Sequence, residues 1–96
     1  MKDPMTMSAL IAWLETKDPD ETYQYSFPDC CLLFQYFTAA GLKPLGVVPQ
    51  GWRDRPLSDG AGYKPLPPGF DHVSSGSPET FGSALIRARI WEAAYA

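Results

Sequence analysis

The sequence predicts a mainly α-helical small domain, with three helices and a long Pro/Gly-rich irregular connection that leaves room for a short β-ribbon. Three observations carry this. Apolar residues recur at helical spacing in three separate stretches. Each stretch has its own start or stop signal. Most of the prolines and glycines gather in residues 42–76, between the second and third stretch.

The first helix is predicted over residues 7–16. Met7, Leu10, Ile11 and Leu14 follow the i, i+3, i+4, i+7 spacing of one face, and Thr6 or Ser8 can cap it. Asp18-Pro19 ends it, because proline lacks an N–H and disfavours helix at the residue before it. The second helix is predicted over 29–40. Ser26 and Asp29 are spaced as in a capping box, with Pro28 tolerated in the first turn. Leu33, Phe37 and Ala40 form its stripe, Leu32 and Tyr36 widen it, and Gly41 supplies a left-handed stop.

Within 42–76, Leu45–Val48 and Tyr63–Leu66 read as short strands, confined to edges by Pro44, Pro49 and Pro65. The segment is expected to wrap the helices, pinned by Trp52, Tyr63 and Phe70. The third helix is predicted over 78–94, with Ser77-Pro78-Glu79 as cap, first-turn proline and dipole-favouring acid. Phe81, Leu85 and Ala88 make one of its rows, and Ile86, Ile90, Ala93 and Ala94 another. Gly82 suggests close contact with another helix, while Arg87 and Arg89 are expected to reach solvent. The predicted core includes Trp13, Leu14, Leu33, Phe37, Phe81 and Leu85.

All 96 residues fit one domain, 1–96, near the lower size at which a core forms without staples. Residues 1–6 are expected to be flexible or to precede the natural start, since Met5 or Met7 could open the chain. No apolar run approaches the roughly 20 residues that span a membrane, and no secretory h-region is visible. A soluble protein of the bacterial cytoplasm is the expectation. Cys30 and Cys31 are neighbours, which in a helix diverge by about 100° and cannot bridge. Two reduced thiols suit a reducing compartment.

The net charge is −3, unevenly spread. Residues 1–42 carry Asp3, Glu15, Asp18, Asp20, Glu21 and Asp29 against Lys2 and Lys17, a net −4, while the remainder is at +1. That balance argues against direct nucleic-acid binding, which needs cations to displace counterions from phosphate. The aromatics Tyr23, Tyr25, Phe34, Tyr36 and Phe37 lack interleaved Lys or Arg, so they read as core and rim.

Two constellations suggest function. Asp29-Cys-Cys-Leu-Leu-Phe-Gln-Tyr-Phe-Thr-Ala-Ala-Gly-Leu42, with Asp71-His72-Val73 further on, resembles the nucleophile helix and base-bearing strand of papain-like cell-wall peptidases. The resemblance implies a cysteine peptidase or amidase acting through Cys30 and His72, the thiol activated by a helix N-terminus and an imidazole. Two features depart from that family: Cys31-Leu32 replaces its small pair, and His72 is followed by Ser74-Ser-Gly-Ser-Pro78 and a helix rather than strands. A Cys30–Cys31–His72 metal site lacks a fourth ligand and finger-like spacing.

The second resemblance spans most of the chain. Leu10-Ile-Ala-Trp-Leu-Glu-Thr-Lys-Asp-Pro19, Tyr23-Gln-Tyr25, Cys31-Leu-Leu-Phe-Gln-Tyr-Phe37 and Thr80-Phe-Gly-Ser-Ala-Leu-Ile-Arg-Ala-Arg89 are similar, in that order, to small uncharacterised proteins of bacteriophages and prophages. The resemblance implies action by binding a host protein complex. An anti-CRISPR protein that blocks a CRISPR–Cas effector is the favoured form. No catalytic residue, cofactor or metal is expected on this reading, and the protein is not expected to be an enzyme. Asp18, Asp20 and Glu21 are the candidate contacts to basic side chains, with Trp52, Arg53 and Arg55 on the long connection as a second contact surface.

Overall fold

A computed structural model describes residues 3–25, 31–48, 51–54 and 63–95. It holds four helices among these residues, where the sequence predicts three: α1 (Met7–Leu14), α2 (Leu32–Ala39), α3 (Phe70–Ser75) and α4 (Phe81–Tyr95). Between α2 and α3 lies an antiparallel ribbon of β1 (Gly46–Val48) and β2 (Gly51–Arg53). Mainly helical is therefore the right class. The additional helix falls inside the predicted irregular connection. It is short, and its Phe70 and Val73 are too few to read as a periodic stripe.

Local chemistry explains each boundary. Thr6 caps α1, its hydroxyl accepting from the Ala9 N–H at 3.1 Å. The helix α2 opens at Leu32, later than predicted, with the thiol sulfur of Cys31 as its cap, accepting from the Phe34 N–H at 3.3 Å. The predicted caps Ser26 and Asp29 lie outside the described residues. At the other end of α2, Gly41 has φ +87°. The Leu42 N–H reaches back to the Phe37 carbonyl at 2.9 Å and the Gly41 N–H to that of Thr38 at 3.0 Å, closing the helix by the paired bonds of a Schellman motif.

In the ribbon, Val47 stands opposite Trp52. The predicted strand at Tyr63–Leu66 does not form. Lys64 makes a single bridge to Trp52, through paired backbone bonds of 2.9 and 2.7 Å, and the prolines beside it end the ladder. The start of α4 also differs from prediction. Pro78 follows a cis peptide outside the helix, and Thr80 supplies the cap through its hydroxyl to the Ser83 N–H at 3.2 Å.

The core is aromatic. Phe37, Phe70 and Phe81 are fully buried, with Leu10, Leu14, Leu32 and Leu33 filled in around them. Phe37 sits at the centre, 5.0 Å from Trp52 and 6.4 Å from Phe70 between ring centroids. Of the predicted core, Leu14, Leu33, Phe37 and Phe81 are buried, while Trp13 and Leu85 are half-buried at its edge. The chain ahead of α1 packs against this core through Met5, and the Tyr36 hydroxyl donates to the Pro4 carbonyl.

Arg87 does not reach out to solvent as predicted. Its Nε and one terminal nitrogen donate to the Val73 carbonyl at 3.0 and 2.8 Å. The same terminal nitrogen donates to the Tyr23 hydroxyl at 2.8 Å, and the other donates to the Pro78 carbonyl at 3.2 Å. Tyr23 in turn donates to the Ser74 carbonyl at 2.7 Å. One guanidinium thus ties α4 to the end of α3, to the turn after it and to the segment after α1. Gly76 is required here, because a Cβ at that position would collide with the Arg87 side chain.

Burial raises the pKa of Tyr36 from the ordinary 10.0 to about 12. Burial likewise raises Tyr23, which Arg87 partly offsets, and burial with the hydrogen bond to Asp71 raises Tyr25. A raised folded-state pKa contributes stability that is complete below the unfolded value and is lost as pH climbs through the folded one. Stability measured in urea should therefore hold below about pH 10 and fall between about pH 10 and 12. Tyr36→Phe should flatten part of that fall; an unchanged alkaline curve in the variant would show that Tyr36 is not responsible.

Candidate functional site

The acidic segment after α1 is shaped by one carboxylate and docked onto α4 by its backbone. The Asp18 side chain accepts from the Asp20 N–H at 2.9 Å, and the Asp18 carbonyl from the Glu21 N–H at 3.1 Å, which makes a tight turn. The turn then docks on the start of α4. The Gly82 N–H donates to the Pro19 carbonyl and the Phe81 N–H to the Glu21 carbonyl, both at 3.0 Å, while the Tyr23 N–H donates to the Glu79 carbonyl at 3.0 Å. A helix start leaves four N–H groups without intrahelical partners. Here the acidic turn satisfies two of them, and the Thr80 hydroxyl accepts from a third, that of Ser83.

This docking explains Gly82. A Cβ there would lie 2.8 Å from the Pro19 Cβ and 2.9 Å from its carbonyl oxygen. The glycine is thus needed against the loop after α1, not against another helix as the sequence suggested.

With their backbones fixed, Asp18, Asp20 and Glu21 present their side chains to solvent. Glu21 shares Lys17 at 3.7 Å, an exposed pair of small energetic weight. Lys17 also lies over the Trp13 and Phe81 rings, 5.2 and 5.0 Å from their centroids. Nearby, Glu15 pairs with Arg89 at 2.8 Å. The acids concentrate at one end of α4 and along its α1 side.

The second predicted surface is changed by the structure. Trp52 is 4% exposed and packs on Phe37, so it anchors the ribbon and offers no contact face. Arg53 is half-buried, 6.0 Å from the Tyr63 ring, and Arg55 lies outside the described residues. The ribbon rests on α2 and the acidic turn on α4, so the two candidate surfaces belong to different elements.

For the cysteine chemistry, Cys30 lies outside the described residues and Cys31 is buried as a helix cap. His72 is exposed on α3, its ring 5.5 Å from that of Trp91, and not on a strand. Among the described residues the sheet has two strands, and no three His, Cys, Asp or Glu side chains converge as a metal site. No helix among them is long and apolar enough to cross a membrane.

Two features escaped the sequence reading. An open groove of about 340 Å³ runs between α1 and α2, lined by Trp13, Lys17, Phe34, Gln35, Thr38 and Ala39. Ile86 and Ile90, read as a second apolar row of the last helix, are 59% and 64% exposed. The helical i, i+4 pair Phe34/Thr38 was legible as one wall of the groove, whereas Lys17 lies beyond the end of α1 and gave no such pattern. Comparison of the chain with protein families, with curated proteins and with solved structures finds no match.

Gly82 provides a test of the docked turn. In a free helix, glycine to alanine stabilises by about 1 kcal/mol. Gly82→Ala should instead destabilise by about 1–3 kcal/mol in urea unfolding, because the new methyl drives Pro19 off the helix. A stabilised variant would mean that the turn is not seated there.

Proposed function

We propose that the protein acts by binding a basic surface of a larger host complex, with Asp18, Asp20 and Glu21 as its anionic contacts. The supporting observation is that the turn carrying them is fastened to α4 by backbone hydrogen bonds while its carboxylates stay exposed. A fixed array of charges costs little ordering entropy on association and steers encounter with an oppositely charged face. On the expectation of a small phage protein, a CRISPR–Cas effector is the first complex to examine, with the acids occupying a channel built for nucleic acid. Arg53 and Arg55 remain candidates for a second contact, without Trp52.

The test is to change Asp18, Asp20 and Glu21 together to lysine and measure binding to an effector at two salt concentrations. The wild type should bind and weaken as salt rises, and the variant should lose at least about tenfold in affinity. Equal affinity in the variant would remove the acidic contact. No binding to any effector would remove the CRISPR assignment and leave a binding protein of another target.

A further inference from the structure

We propose that the outer face of α4, together with the acids beside its start, receives an amphipathic helix of a partner protein whose apolar side is edged by lysine or arginine. This rests on the reading that the protein acts by binding, and it assigns the surface and the chemistry of the occupant.

The face follows from helix geometry. At 100° per residue, Ser83, Ile86, Ile90, Ala93 and Ala94 fall within an arc of about 100° on the side away from the buried Phe81, Ala84 and Ala88. No charged residue interrupts it. Single exposed apolar side chains are ordinary; a whole face of a helix whose opposite side is already core is not. The small side chains of Ser83, Ala93 and Ala94, before and after the two isoleucines, leave room for a second helix axis to approach closely.

Its flanks differ. On one side Arg87 is consumed by the carbonyls of Val73 and Pro78 and by Tyr23. On the other side Glu15 and the turn Asp18–Glu21 line the helix, placed by the Arg89 pair and by the contact of Pro19 with Gly82. The cations there, Lys17 and Arg89, are each already paired with Glu21 and Glu15. The uncompensated charge along this edge is negative, which calls for a cationic edge on whatever covers the face.

A second copy of this chain meets that requirement poorly. In a two-fold antiparallel pairing centred on Ile90, each acidic turn would lie beside the end of the other α4. Residues 91–95 offer Glu92 and no cation there. The acids would stay unpaired or repel.

The experiment uses two synthetic stapled helices with the same leucine and alanine face, one edged with lysine and one with glutamate. Fluorescence anisotropy against the full chain should give at least about tenfold tighter binding of the lysine-edged peptide, weakening with salt. Ile86→Glu with Ile90→Glu should abolish binding while circular dichroism stays unchanged. In the unaltered protein the chain's three isoleucines, Ile11, Ile86 and Ile90, provide an internal readout. Methyl signals of Ile86 and Ile90 should shift on titration and that of buried Ile11 should not. Equal affinity for both peptides, no binding of either, or shifts absent at Ile86 and Ile90 would overturn the proposal. So would a concentration-dependent dimer in ultracentrifugation that the paired glutamates dissolve. The peptides involve no CRISPR–Cas effector, so failure with an effector and failure of this surface are separate results.

Discussion

The Arg87 guanidinium is the contact on which the arrangement of elements depends. A short helix such as α3 has little intrinsic stability and must be held by tertiary contacts. Its last carbonyls need donors, and a cation near a helix C-terminus also complements the dipole. Arg87 and Tyr23 together supply both, through the Val73 and Ser74 carbonyls. Lysine, a single point charge, could not span Val73, Pro78 and Tyr23 at once. With α3 in place, Phe70 and Val73 are delivered to the core beside Phe37, which also seats the ribbon through Trp52.

The helix α4 consequently works on three sides. Its inner face closes the aromatic core, its Arg87 side holds α3, and its start is capped by the acidic turn. This leaves the outer face free of structural duty, with the exposed side of the acidic turn along its edge. Both functional readings draw on that division: carboxylates can be exposed and fixed together only because main-chain groups carry the docking.

Much of this was legible in the chain. The periods around Leu10, Phe37 and Phe81, the caps at Thr6 and Gly41, and the burial of Tyr36 all follow from local rules of spacing and capping. What escaped was set by tertiary contact. The third helix is too short to show a period, and its start after Gly69 carries no side-chain cap. The role of Arg87 depends on carbonyls brought to it from Val73 and Pro78. Gly82 announced a close approach, but nothing local could say that Pro19 was the neighbour. For the site, the acids were visible as a cluster; their rigid mounting was not, because it is made of backbone bonds to a segment some sixty residues away. Trp52 illustrates the converse, since a large aromatic in a loop suits an anchor and a contact equally until its partner ring is known.

The most direct measurement is a double-mutant cycle between Tyr23→Phe and Arg87→Met, followed by urea unfolding. The two side chains meet at 2.8 Å and close the same helix end. Their energies should therefore couple by about 1 kcal/mol or more, within the range seen for residues sharing one network. Additivity within about 0.3 kcal/mol, with each single variant costing little, would contradict the view that this junction organises the fold.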